Sequence, residues 1–420
     1  MNDSARESVR NTMCILSGLC ALLCLGLSYG WSIFRTPFSL EYPQWSAAQL
    51  AAVFSLSMIF FGGGSFISGQ MSRKRSASWL LLVGGLAILS GFGGVSLLNG
   101  MDSARSLILL YLFYGCMGGT GIGICYNAIN SSIPRFFPEH RGTVSGIMMA
   151  GYGGGALILG IAAKGMIENR ELGLFLTFRI LAVFIFVVLA LCACCYYCKE
   201  SRSSVGSGKK QETMVGFSPS QVLHLKSFWV LQGRNIFSYA ACLIVIENAT
   251  SVSAFFGISA VAGLICSVFN GLGRIMAGLM CDHIGALKTL KLGSLILLCA
   301  AAVLVSALMT GSRCLIVVAF ILIGLSYGVT PPVSVVINDD FFGERYRETN
   351  YAFFSFTLAP ASVAGPMLVG VLQDLLGGGF ELRFAVVLLY AVAAAMLALI
   401  LQKPPEAAWG ISDSPVVRDT

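Results

Sequence analysis

Long apolar stretches alternate with short polar segments along nearly the whole chain. Each stretch reaches about 20 residues or more, the length that a helix needs to cross the hydrocarbon core of a bilayer. No small-residue cleavage site follows the first stretch, so we interpret it as a retained span rather than a signal peptide. The pattern predicts twelve transmembrane helices, at approximately residues 13–34, 47–69, 77–98, 106–130, 143–164, 176–198, 227–247, 252–281, 290–310, 314–338, 350–373 and 382–401.

The composition supports a membrane protein and argues against a soluble enzyme. Hydrophobic residues make up 56% of the chain, charged residues only 11%, and the mean hydropathy is +0.81. A soluble domain typically carries about 25% charged residues. The net charge of +7 comes from short clusters between the apolar stretches, which argues against nucleic acid binding. Most of the fourteen cysteines lie within apolar stretches, as small buried hydrophobes do.

The distribution of Lys and Arg predicts how the chain is oriented. With the N-terminus in the cytoplasm, eighteen of the 27 basic residues fall in cytoplasmic segments and seven on the other side. Cytoplasmic loops of membrane proteins carry this excess. We therefore expect a multi-pass protein of the cell (inner) membrane, surrounded by lipid, with both termini cytoplasmic, and we expect it to be a monomer.

The polar stretch 199–226 divides the chain into two halves that resemble each other. It is rich in Ser, Gly and Lys and has no helical pattern, which is typical of a flexible linker. Phe136-Phe137-x-Glu139 recurs as Phe341-Phe342-x-Glu344, 205 positions later, each followed by basic residues. We predict an all-α membrane protein with the major facilitator fold: a six-helix half at 1–198, the linker at 199–226, a second six-helix half at 227–403 and a tail at 404–420. Substrate sites of such repeats lie near the midplane between the halves.

One arginine lies where a charge is expensive. Arg274 is eight residues from Asp282 at the end of the eighth predicted helix, which places it about 12 Å into the membrane. Its insertion costs at least about 2.5–3.5 kcal/mol. Asn270 is one turn earlier on the same face, and an amide beside a guanidinium can hold a carboxylate. We predict a substrate anion site here; the alternative is a structural Arg paired with carbonyls or with an acid of another helix.

A second arginine, Arg234, lies eight residues after Lys226 in the seventh predicted helix, at a similar depth. It could be a second cation of the substrate cavity. It could equally extend to the cytoplasmic face, or lie at a shallower depth if the helix begins late.

Several aromatic residues in the predicted helices are candidates for the wall of the same cavity. A tyrosine hydroxyl can donate to a carboxylate while its ring forms an apolar surface. Packing or an interfacial belt is the alternative for each of them. The candidates are Tyr29, Trp31, Tyr126, Tyr152 and Tyr327.

A loop motif suggests a conformational latch. Gly278-x-x-x-Asp282-x-x-Gly285 follows the eighth predicted helix, and the matching place after the second helix has Gly69-x-x-x-Arg73. The first copy therefore lacks the acid, which weakens a latch there.

The sequence contains no pattern for a cofactor or metal. The three histidines lie near loops without metal-ligand spacing, and no Walker motif is present. We predict neither an enzyme nor an ATP-driven pump.

Several short motifs are informative in combination, although each alone is weak. They are Tyr29 to Phe34, Gly121 to Gly123, Phe137-Pro138 with Arg141-Gly142 and Ser145-Gly146, Ala150 to Gly153, Phe269 to Gly271 with Gly273-Arg274, Tyr327-Gly328, and Phe341 to Gly343 with Asn350-Tyr351. Together they resemble the oxalate/formate antiporter family of the major facilitator superfamily and, more loosely, the monocarboxylate transporters. The resemblance covers nearly all the predicted helices.

The resemblance implies that Arg274 binds the substrate carboxylate, with Asn270 as in related monocarboxylate carriers. In the oxalate carrier, a Lys of the eleventh helix supplies a second positive charge, and Leu358 is at or next to that position here. No Lys or Arg occurs between Thr349 and Gln373, which argues against oxalate.

We therefore predict a secondary active transporter that moves small organic anions by alternating access. One buried Arg favours monocarboxylates such as formate, lactate or pyruvate, with a counter-transported anion or a proton. The alternatives are a dicarboxylate/monocarboxylate exchanger with Arg234 as the second cation, and an anion sensor that does not transport.

Overall fold

The computed structural model describes residues 3–72, 74–132, 137, 139–203, 215–258, 262–369 and 380–405. These residues are almost entirely helical, and within them the only β-type pairing is an isolated bridge between Gly216 and Gly343. The predicted all-α fold is confirmed.

In the described part of the chain, the N-terminal half contains six helical spans. Two of them are interrupted: a 3₁₀ turn at Gly26–Gly30 lies in the first span, and a π turn at Tyr111–Gly118 lies in the fourth. The helices are α1 (Asp3–Leu25), α2 (Trp31–Glu41), α3 (Ala47–Met71), α4 (Ala77–Val95), α5 (Ser103–Leu110), α6 (Gly119–Ser132), α7 (Arg141–Glu168) and α8 (Gly173–Ser203).

The C-terminal half repeats this plan with more breaks. Its helices are α9 (Pro219–His224), α10 (Lys226–Glu247), α11 (Ala249–Phe255), α12 (Ala262–Ile284), α13 (Ala286–Thr310), α14 (Arg313–Phe342), α15 (Arg347–Ser355), α16 (Leu358–Ser362) and α17 (Phe380–Ile400). A π turn at Val363–Met367 follows α16.

Ten helical segments of the described chain are long and apolar enough to cross a membrane. The two other predicted spans are α12, which carries Arg274 and Asp282 in its sequence, and the broken stretch 350–373. The end of that stretch, 370–373, lies outside the described residues.

Small polar residues set the starts of several helices. Ser46 forms a capping box with Gln49, and the side chain of Ser76 accepts from the backbone N–H of Trp79. Such caps satisfy N–H groups that a helix leaves without partners in its first turn. The short polar segments of the sequence therefore also determine where the spans begin.

The linker is more ordered at its end than its composition predicted. The N–H of Phe217 donates to the carbonyl of Phe342 at 2.8 Å, and Asn350 Nδ2 donates to the carbonyl of Phe217 at 3.0 Å. Ser218 and Gln221 form a capping box that starts α9. The expectation of no helical pattern over 199–226 is wrong for this part, because the cap and the pairing with the end of α14 order it. The domain boundaries themselves stay a prediction.

The two halves meet at the end of the bundle that carries the linker, which we call the linker side. One buried apolar cluster contains residues of the N-terminal half together with linker-side residues of the C-terminal half, such as Ala277, Cys281 and Phe342. A second cluster, which includes Leu304 and Phe320, lies entirely within the C-terminal half. The halves thus share a core on the linker side, while the second cluster belongs to one half alone.

Candidate functional site

Arg274 lies at the interface of the two halves, with only 2% of its surface exposed. Its Nε donates to Asn270 Oδ1 at 3.1 Å, and its Nη1 donates to the carbonyl of Met149 on α7 at 2.5 Å. Among the described residues, no acid pairs with Arg274 and Nη2 makes no hydrogen bond. A buried guanidinium without a counter-ion and with a free N–H edge is suited to binding an anion.

A glycine on α7 makes room for this guanidinium. A Cβ on Gly153 would lie 2.9 Å from Arg274 Cζ and 3.1 Å from Nη1. The bare backbone of α7 therefore allows the guanidinium to reach the Met149 carbonyl.

Gly153→Ala is expected to displace the Arg274 guanidinium, the flexible end of that side chain, and to weaken the apparent affinity for substrate by about tenfold, because a hydrogen bond to a charged group contributes about 1.5–3 kcal/mol. The neighbouring variant Gly154→Ala is a matched control, since a Cβ there meets no atom within 4 Å. The measurement is the concentration dependence of uptake by both purified variants. Equal affinities in the two variants would contradict the role of Gly153.

Four of the predicted aromatic residues surround this centre. The ring centroids of Tyr126 and Tyr152 are 4.8 Å apart, and those of Tyr29 and Tyr152 are 5.2 Å apart. The charge of Arg274 interacts with the hydroxyls of these three residues and of Tyr327 from the other half. The first, fourth, fifth and tenth spans thus each contribute a phenol.

Trp31 takes a different position. Its Nε1 donates to the carbonyl of Leu50 at 3.0 Å, and its ring lies 4.7 Å from that of Tyr114. It is 4% exposed and packs inside the N-terminal half. The structure does not bring its side chain into contact with Arg274.

Three residues that the sequence reasoning missed also belong to this centre. They are Met149, Tyr239 and Tyr351. Tyr351 Oη lies 3.5 Å from Tyr126 Oη, and Tyr126 Oη donates to Met149 Sδ at 3.2 Å. Tyr239 packs its ring edge against Tyr327 at 5.4 Å. A search for polar aromatics inside apolar stretches would have found both tyrosines, whereas the Met149 carbonyl has no sequence signal.

Arg234 lies in the interior of the C-terminal half and is fully buried. Its Nε donates to Ser294 Oγ at 2.9 Å, and its Nη1 donates to Thr330 Oγ1 at 2.9 Å and to Asn235 Oδ1 at 3.1 Å. Nη2 points at the carbonyl of Leu290 at 3.4 Å. These contacts tie α10 to α13 and α14, so most of its donor groups are already in use.

Leu358 is partly buried against the apolar cluster of the C-terminal half. The resemblance implies a second cation at this position. Here both the side chain and its surroundings are apolar.

The halves are joined on the linker side by a group of contacts that we call the linker-side gate. Asp282 accepts from the backbone N–H of Gly142 at 2.8 Å and of Thr143 at 2.7 Å, at the N-terminus of α7. A carboxylate is stabilised there by the free N–H groups and the helix dipole. Gly278 and Gly142 are in backbone contact, so a Cβ on either would meet the other's carbonyl group. Arg73, predicted for the matching loop, lies outside the described residues.

Ion pairs complete the gate. Arg141 Nη1 of α7 lies 3.0 Å from Glu344 Oε1 and 3.6 Å from Asp339 Oδ2 of the other half. Arg347 pairs with Asp339 at 2.7 Å and with Glu344 at 3.0 Å. Thr349 Oγ1 donates to the carbonyl of Gly69 at 2.7 Å, so α3 and α15 are also joined. Opening this side requires the contacts between the halves to break: those of Asp282 with α7, of Arg141 with Glu344 and Asp339, and of Thr349 with Gly69.

Comparison with known proteins identifies the family. A profile of the Major Facilitator Superfamily matches residues 18–366 and 262–416. The chain belongs to the major facilitator superfamily. It is therefore a multi-pass membrane transporter, and the predicted fold is that of this superfamily.

Two relatives and one solved structure define its neighbourhood within the major facilitator superfamily. The chain is 26% identical to the oxalate:formate antiporter of Oxalobacter formigenes over 356 residues, 82% of this chain and 81% of that protein. It is 30% identical to mouse (Mus musculus) monocarboxylate transporter 12 over 136 residues, 32% of this chain and 26% of that protein. These matches confirm the resemblance inferred from the motifs, and the relatives are transporters rather than enzymes.

The fold matches the proton:xylose symporter XylE with a TM-score of 0.76 at 13% identity, covering 96% of this chain and all of that one. At this identity the match supports the fold alone. Within the described residues, no group of three or more His, Cys, Asp or Glu could hold a metal ion.

Proposed function

We propose that this major facilitator protein is a secondary carrier of small organic monoanions, with Arg274 as the residue that binds the carboxylate. The observation that supports this most directly is the free Nη2 of a buried Arg274 that has no acid partner among the described residues. A substrate carboxylate would supply the missing negative charge and the missing acceptor together. The likeness to an oxalate:formate antiporter and to a monocarboxylate transporter is consistent with this class of substrate.

The charge count favours a monoanion over oxalate. A charge without a partner in a low-dielectric cavity is costly, so the loaded cavity should be close to neutral. Arg274 supplies one positive charge, Leu358 supplies none, and the donors of Arg234 are directed at α13 and α14. A monocarboxylate neutralises Arg274, whereas a dianion would keep one negative charge unpaired.

Transport would proceed by alternating access around this site. The Lys and Arg asymmetry supports cytoplasmic termini, which makes the linker side cytoplasmic. The linker-side gate would then close the carrier toward the cytoplasm. Rocking of the two halves would open this gate and close the carrier on the opposite side of the membrane. The hydrogen bond from Arg274 to the Met149 carbonyl joins the two halves. A substrate that binds Arg274 therefore binds at the surface where the halves separate. We propose exchange with a second anion as the coupling mode.

The experiment that tests the function uses purified protein in proteoliposomes. Labelled formate, lactate, pyruvate and oxalate are offered with and without an unlabelled anion inside the vesicles. Uptake of monocarboxylates that depends on the internal anion supports exchange. Binding without uptake would favour the sensor alternative, and no response to any carboxylate would refute the proposal.

Leu358→Lys is expected to increase the ability of oxalate to compete with a labelled monocarboxylate by about tenfold, since close charge pairs across an interface are worth about 1.5 kcal/mol or more. Leu358→Met is the matched control for side-chain length without charge. Arg234→Gln is expected to leave this selectivity unchanged and to lower the thermal stability, because it removes contacts between α10, α13 and α14. A wild-type preference for dianions that Arg234→Gln abolishes would instead make Arg234 the second cation.

A further inference from the structure

Tyr239 of α10 is a phenol of the central site that neither the motifs nor the resemblance singled out. It is 8% exposed, and its ring edge packs against Tyr327 at a centroid distance of 5.4 Å and an interplanar angle of 68°. Its hydroxyl is close enough to interact electrostatically with both Arg274 and Arg234. Through Tyr327 its ring is in contact with the tyrosine group around Arg274.

The hydroxyl of Tyr239 is a donor without an acceptor. It makes no hydrogen bond to any described residue, and unlike the hydroxyl of Tyr114 it is not sealed from solvent. Ser238, the preceding residue, also has an unpartnered hydroxyl, but that one is sealed. A bound ligand would exclude the solvent that this hydroxyl can reach, and a donor then left unpaired costs about 1–3 kcal/mol, so a ligand with a suitably placed acceptor gains relative to one without it.

Arg234 strengthens this donor. Among the described residues it has no acid partner, and its contacts are to hydroxyl, amide and carbonyl groups. Its N–H groups are directed at these neighbours and not at the ligand, but its charge polarises the O–H of Tyr239 as a donor.

We infer that Tyr239 is a specificity-determining residue that donates to an oxygen on the carbon next to the substrate carboxylate. The inference rests on the proposed function, in which Arg274 holds the carboxylate itself. Arg274 Nη2 and Tyr239 Oη are two separate unpartnered donors of one site. A 2-oxo or 2-hydroxy monocarboxylate offers an acceptor to each, whereas a simple fatty acid offers only its carboxylate.

The test compares pyruvate and lactate with propionate, which has the same carbon count and no oxygen on the second carbon. Wild-type protein in proteoliposomes is expected to take up pyruvate and lactate with a higher kcat/KM than propionate. Tyr239→Phe is expected to lose about tenfold for pyruvate and lactate, and to keep propionate within about twofold, because only the first two lose an acceptor contact. Tyr114→Phe is the control, since its hydroxyl is buried without a partner inside the N-terminal half.

Three outcomes would overturn the inference. An equal loss for all three substrates would place Tyr239 on the carboxylate or in a structural role, and thermal unfolding of the variant separates these two. Unchanged kinetics for every substrate would mean that Tyr239 does not contact the ligand. A wild type that takes up all three substrates equally well would remove the discrimination that Tyr239 is inferred to provide. Absence of carboxylate uptake by the wild type would instead refute the proposed function on which the inference rests.

Discussion

Arg274→Ala is expected to abolish anion transport while the protein still inserts and folds. Removing one partner of a buried, hydrogen-bonded charge pair costs about 2–5 kcal/mol, so binding should weaken by at least about 30-fold. The variant also loses the bond to the Met149 carbonyl that joins the halves. The measurement is exchange of a labelled monocarboxylate in proteoliposomes, with size-exclusion chromatography and thermal unfolding as checks on folding.

Arg274→Lys separates the role of charge from the role of geometry. Lys keeps the positive charge but lacks the planar fork that can bind Asn270, Met149 and a carboxylate at the same time. We expect it to be nearly as poor as Arg274→Ala. Wild-type exchange in the alanine variant would refute the assignment of Arg274, and full activity of the lysine variant would limit its role to charge alone.

Gly278→Ala is expected to reduce exchange about fivefold or more by holding α7 and α12 apart, because overpacked contacts cost about 1–3 kcal/mol. The added Cβ would meet the carbonyl oxygen of Gly142 and would lie 3.0 Å from Gly146 Cα. Since both are backbone atoms, a side-chain rotation cannot relieve the clash. Cys281, 6% exposed in the gate, should react faster with a maleimide, as measured by peptide mass spectrometry.

Gly271→Ala on the same helix is the matched control for Gly278→Ala. A Cβ on Gly271 meets no atom within 4 Å, so transport and Cys281 labelling should stay close to the wild type. Wild-type exchange by Gly278→Ala, with Cys281 still protected, would mean that the close approach of α7 and α12 is not needed for the transport cycle.

The sequence predicted the membrane fold because lipid is a uniform solvent that acts on each residue separately. A stretch of about 20 apolar residues is favourable in the bilayer whatever its neighbours are. The spans, the repeat and the family resemblance could therefore be read from the chain. The pairing of Asn270 with Arg274 is equally local, because residues one helical turn apart share a face. The structure has this bond at 3.1 Å.

The direction of each polar side chain around its helix was not available from the sequence. Arg234 and Arg274 lie at similar depths in their spans, yet one is directed at α13 and α14 and the other at α7 of the opposite half. Trp31 follows Tyr29 by two residues, yet only Tyr29 lies within the tyrosine group around Arg274. The depth of a residue in the membrane follows from its position in an apolar stretch. The direction in which its side chain points depends on which helices pack next to its own.

The sequence by itself determined the membrane environment, the all-α fold and the arginine–asparagine pair, and ten of its twelve predicted spans coincide with described helices that are long and apolar enough to cross a membrane. The tertiary structure decided which charge is free for a ligand, because that depends on groups far away in the chain. Met149 provides a carbonyl to Arg274, Gly153 provides the space for its guanidinium, and Asp282 caps α7 from the other half. A backbone carbonyl, a missing Cβ and a helix terminus have no side-chain chemistry that a residue pattern could display. They act only once two helices from different halves have packed together.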